Sequence, residues 1–71
     1  MADASIVVNG RPHLLPPGGG LIELLRQLSM DPGSAGVAVA INGEVVPRPD
    51  WAARRLVLGD RVEVVRAVQG G

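Results

Sequence analysis

Apolar residues along this chain fall into short runs separated by turn-forming residues, and one run repeats at the period of a helix. The first run, residues 5–8 (SIVV), stops at Asn9-Gly10, a pair that closes two-residue hairpins. Residues from Arg11 onward (RPHLL) are therefore predicted to return as the second arm. Pro12 has no N–H to give a ladder and is expected to face outward on it. Residues 16–20 (PPGGG) read as a flexible loop. In LIELLRQLSM, Leu21, Leu24, Leu25 and Leu28 share one helical face. Ile22 lies at the margin of that face, with Glu23, Arg26 and Gln27 mostly outside it. Gly20 is a weaker N-cap than serine or threonine, but Glu23 places negative charge where a helix start favours it. Asp31-Pro32-Gly33 is expected to end this helix.

The second half supplies what such a helix must cover. VAVAI (37–41) is apolar at every position and reads as a central strand. Asn42-Gly43 is a second hairpin signal, with EVV as a short return that Pro47 and Pro49 stop. PDWAARRL has room for one helical turn begun by Asp50. Gly59-Asp60 marks a turn before RVEVVRAV, the last strand. The order predicts an α+β domain, a mixed sheet of four to five strands packed on one main helix. Residues 1–66 form the expected single domain, and residues 67–71 a flexible tail ending in Gly70-Gly71.

Composition narrows the chemistry. The chain's 71 residues suffice for one small domain with a modest core. Trp51 is its single aromatic residue, so that core is built from Val, Leu, Ile and Ala. With no cysteine there is no disulfide, no thiolate-ligated metal and no cysteine nucleophile. All basic side chains are arginines, the formal charge is zero, and no basic run is present, which argues against nucleic acid as a partner. No signal-peptide core or membrane-length apolar run occurs, and cytoplasmic residence is the expectation.

A search for side-chain sites finds none that is self-contained. His13 stands without a second histidine, and a lone histidine is most often a surface residue. Asp3, Asp31, Asp50 and Asp60 mark the chain start and turns, where Asp bonds locally. Ser5, Ser29 and Ser34 have no recognisable base. PPGGG lacks the Lys-Ser/Thr pair of a phosphate loop. Arg48, Arg54 and Arg55 make a candidate basic patch whose plain reading is solvated surface. What remains is the end, AVQGG: a Gly-Gly terminus threads a narrow channel and presents an unhindered carboxyl carbon, or it is a frayed end. Composition and position leave both readings open.

Four stretches together carry a family resemblance: IVVNG, LIELLRQL, VAVAINGEVVPRPDW and LGDRVEVVRAVQGG. With them the chain resembles, over almost its whole length, the ThiS family of sulfur carriers in thiamine thiazole synthesis. The resemblance implies a ubiquitin-like β-grasp fold and a carrier rather than an enzyme. It implies that Gly71 is the point of sulfur attachment and that Gly70 gives clearance and extension. A ThiF-like E1 adenylyltransferase would use ATP to adenylate the terminal carboxylate, the carrier itself binding no cofactor and no metal. Sulfur derived from cysteine, through a donor such as a cysteine desulfurase, would then give a thiocarboxylate for a ThiG-like thiazole synthase. Val46, Val64, Val65 and Val68 are candidates for docking these enzymes, with core packing as their plain role. Arg66 is a candidate for pairing with an acidic partner surface, with a solvated arginine as the alternative. Trp51 matches a family position after VPR and is expected to cap one end of the core, its N–H needing a partner. Triple glycine at 18–20 departs from the family's capping hydroxyl residue. The alternatives are a sulfur carrier serving molybdopterin, cysteine or tRNA thiolation, and a β-grasp protein-binding module that carries no sulfur.

Overall fold

A computed structural model describes residues 6–67 of the chain. Both Asn-Gly pairs make the predicted hairpins. Asn9 and Gly10 take φ of 50° and 83°, and Asn42 and Gly43 take 53° and 85°. Two successive positive φ values match the right-handed twist of the flanking strands, and Asn and Gly tolerate that region best. The first turn joins β1 (Ile6–Val8) to β2 (Arg11–His13), and the second joins β3 (Val37–Ile41) to β4 (Glu44–Val45). Ser5, predicted as the first residue of the opening strand, and Asp3 lie outside the described residues. Pro12 is exposed on an edge strand, where its missing donor leaves no ladder gap.

β5 (Arg61–Arg66) inserts between the hairpins, giving the order β2-β1-β5-β3-β4. It runs parallel to β1 and antiparallel to β3, so the sheet is mixed. α1 (Leu21–Gln27) crosses one face. Leu21, Leu24 and Leu25 are fully buried beneath it, with Ile22 and Leu28 partly buried at its flanks, as the helical spacing predicted. Five strands on one principal helix make the β-grasp fold that the resemblance implied.

Three local expectations are corrected. The helix ends at Gln27, ahead of Asp31-Pro32-Gly33. Ser29 takes a left-handed φ of 61°, the Met30 N–H donates to Leu25 O (2.8 Å), and the Ser29 N–H donates to Arg26 O (3.0 Å). These paired bonds are the Schellman closure, made here with serine in glycine's usual place. The segment around Trp51 is a 3₁₀ helix, Arg48–Ala53, that begins two residues before Asp50. PPGGG is held in place: the Leu56 N–H donates to Gly19 O (2.7 Å), the Leu21 N–H to Arg54 O (3.1 Å), and Gly20 bridges Arg55. This backbone pairing fixes the start of α1 without a side-chain cap.

The asparagines do more than turn the chain. Asn9 Nδ2 donates to Val64 O (3.2 Å) and its Oδ1 accepts the Val64 N–H (2.8 Å). The side-chain amide thus continues the pairing of β5 where the main chain of β1 turns away. Asn42 Oδ1 likewise accepts the Arg61 N–H (3.0 Å), while its Nδ2 donates to Asp60 (3.0 Å). The other Asp60 oxygen accepts the Val57 N–H (2.9 Å), so this buried carboxylate is fully partnered.

Candidate functional site

The last strand positions the site. Along β5, Val62 and Val64 point into the core while Arg61, Glu63 and Val65 point to the opposite face, the two-residue alternation of a half-buried strand. Cross-strand register builds the outward face around them: Val65 lies opposite Ala38, Ala40 opposite both Glu63 and Val45, and Val7 opposite Pro12 and Arg61. Val45 (74%) and Val65 (60%) are the large apolar side chains most exposed on it. The result is a low, largely apolar surface centred on Val65, Ala38, Ala40 and Val45, with Arg61 and Glu63 beside it.

This geometry divides the candidate docking residues. Val65 lies on the open face. Val46 and Val64 do not: both are 6% exposed and belong to the core cluster, so neither has a surface to offer a partner. The Val46 N–H also donates to Val39 O (2.8 Å), which turns its side chain inward beside Val39. Arg66 is exposed, but its guanidinium turns back over the end of α1, 3.2 Å from Met30 Sδ and 3.5 Å from Ser29 O. There its charge complements the negative end of the helix dipole. Val68, Gly70 and Gly71 lie outside the described residues.

Strand pairing continues one residue past β5. The Ala67 N–H donates to Gly36 O at 2.7 Å, which ties the first residue of the expected tail to the β3 side of the sheet. Gly36 has φ of +88°, and a Cβ there would stand 3.4 Å from Ala67 Cβ. That left-handed φ is what asks for glycine, while the Ala67 side chain would lie at ordinary contact distance.

The remaining side chains have structural duties. Trp51 is buried, and its Nε1–H donates to Val46 O (2.8 Å), the partner its burial demands. Arg48 stacks on the Trp51 ring and binds backbone carbonyls, leaving Arg54 and Arg55 as what remains of the expected basic patch. His13 Nδ1 contacts Leu14 O at 2.8 Å. Asp31 Oδ1 accepts the Gly33 N–H (2.9 Å), the local turn bond expected of it. Among the described residues no group of three or more His, Cys, Asp or Glu is placed to hold a metal, and no helix is long and apolar enough to cross a membrane. Sequence reasoning missed Ala38, Ala40 and Val45 as the outward surface, and it missed the bonds of Arg48 to the loop before β3 and of Gly36 to Ala67. The first three were within reach, because the charged Arg61 and Glu63 set the parity of β5 and the hairpin turn fixes that of β4.

Comparison with known proteins settles the family. The ThiS family model matches residues 6–71. The sulfur carrier protein ThiS of Escherichia coli (strain K12) is 36% identical over 66 residues, covering 93% of this chain and 97% of that protein. The crystal structure of thiamine biosynthesis protein ThiS from Geobacter metallireducens superposes with a TM-score of 0.73 at 32% identity, covering 94% of this chain and 99% of the other. A β-grasp body with an open sheet face, matched through its final glycine, places this chain in the ThiS family of sulfur carriers in thiamine biosynthesis.

Proposed function

We propose that the Gly71 carboxylate is the group this carrier presents, first as an acyl-adenylate and then as a thiocarboxylate. A ThiF-like adenylyltransferase attaches AMP from ATP to the carboxylate and releases pyrophosphate. Persulfide sulfur drawn from cysteine by a desulfurase displaces AMP to form an acyl disulfide. A thiol reductant cleaves its S–S bond to leave the thiocarboxylate, and a ThiG-like thiazole synthase receives the sulfur. The observation that carries this reading is the family match that runs to Gly71. Two features support it. A main-chain carboxylate needs no catalytic side chain on the carrier, and the sequence has no cysteine to hold sulfur otherwise. Gly70 and Gly71 have no Cβ to obstruct a narrow activating site.

The open face around Val65, Ala38, Ala40 and Val45 is the surface proposed to dock these enzymes. It is flat, apolar and reached by the same strand that leads to the terminus. Exposed apolar side chains grouped on one face in this way support a docking role.

Incubation with the adenylyltransferase, ATP and a sulfur source, followed by intact mass measurement, should show one oxygen replaced by sulfur. A chain lacking Gly70 and Gly71 should keep its thermal melt and stay unmodified. An unchanged mass for the full chain, under conditions that convert the Escherichia coli carrier, would sink the proposal.

A further inference from the structure

The feature left unexplained by the carrier chemistry is the investment of one exposed arginine in a loop. Arg48 lies between Pro47 and Pro49, at the start of the 3₁₀ segment, with its guanidinium carbon 4.4 Å from the centroid of the Trp51 ring. Its Nη1 donates to Pro32 O, and its Nη2 donates to Ser34 O (2.8 Å) and Val37 O (3.2 Å). One side chain thus gathers three carbonyls, two from the loop that precedes β3 and one from Val37, the first residue of β3. Only a planar fork of several N–H donors bridges acceptors spread in this way, and the stacking on Trp51 sets the plane of the fork.

Within that stretch lies Gly36, whose carbonyl accepts the Ala67 N–H, the last described backbone bond of the chain. The connection is direct. Ser34 O and Val37 O flank Gly36, so holding them holds its carbonyl.

We propose that Arg48 is a positioning residue for the C-terminal arm: it locks residues 32–37 against the Trp51 face, fixes the Gly36 carbonyl, and so sets the point and direction at which the chain leaves β5. The carrier reading matters here for the enzymatic consequence alone, since reaching a partner's active site from a docked sheet depends on where the arm departs.

Amide hydrogen exchange on the isolated chain tests the clamp without any partner. Replacing Arg48→Ala should speed exchange at Ala67 by about tenfold or more, while the Asn9 and Val64 amides, bonded within the sheet, keep their rates. Arg48→Lys, with its single ammonium, should fall between. With the adenylyltransferase, kcat should drop roughly tenfold while KM stays within about twofold, because the docking face is untouched. Unaltered exchange at Ala67 would overturn the proposal, and so would an equal rise at all three amides, which would assign Arg48 to global stability. Should Arg48→Ala fail to fold, Arg48→Lys decides by the same criteria. A wild-type chain that is never adenylated would defeat the carrier reading but leave the clamp to be judged on exchange.

Discussion

Both faces of the sheet carry aliphatic residues, yet the two behave oppositely. The inner face carries Ile6, Val8, Val37, Val39, Ile41, Val62 and Val64, all buried against Leu21, Leu24 and Leu25. The outer face carries Val7, Ala38, Ala40, Val45 and Val65, covered by no element of the described chain. Val64 and Val65 are neighbours in sequence, yet one is 6% exposed and the other 60%. Hydrophobicity therefore does not decide a valine's role here; strand parity does. The inner face holds the body together, and the outer face leaves its aliphatic side chains open, where the proposed docking would use them.

The comparison breaks most visibly on the inner side. Leu24→Ala empties a fully buried position under the helix and should cost about 2–5 kcal/mol in chemical denaturation. A loss below about 1 kcal/mol would show that α1 does not seal the core as its burial indicates. Next comes Asn9→Ala, which removes both side-chain bonds to Val64 and leaves a β5 N–H and C=O without those partners. We expect a loss of about 1–2 kcal/mol from denaturant midpoints, with the hairpin itself retained. The smallest stability effect belongs to the outer face. Val65→Asp should change folding stability by about 1 kcal/mol or less while raising KM for adenylation about tenfold. An unchanged KM would remove Val65 from the docking surface.

Much of this molecule was legible in its sequence because the local signals agree with the global fold. Both Asn-Gly turns, the apolar stripe of α1 and the closing strand lie where pattern placed them. The failures have a common cause in long-range register. VAVAI is the central strand its apolar run indicated, but a run apolar at every position does not say which residues look outward, and Ala38 and Ala40 do. Val46 and Val64 stood both as docking candidates and as core residues, because the sequence does not say which member of a Val-Val pair turns inward until strand order is known; both turn inward. Ser29 closes the helix early through a left-handed turn, a conformation no serine announces. The arm's frame was invisible for the same reason. Arg48 and Gly36 acquire their roles only when the loop before β3 folds back toward them.

The central placement of β5 also has a mechanical consequence. Ala67 continues β5, the middle of the five strands, which is bonded in parallel to β1 on one side and antiparallel to β3 on the other. A force drawn along that strand loads the bonds of both ladders together, in shear, whereas an edge strand such as β4 could be unzipped one bond at a time. The end of β5 is thus fastened to the middle of the sheet, where a pull on Ala67 must break two ladders at once.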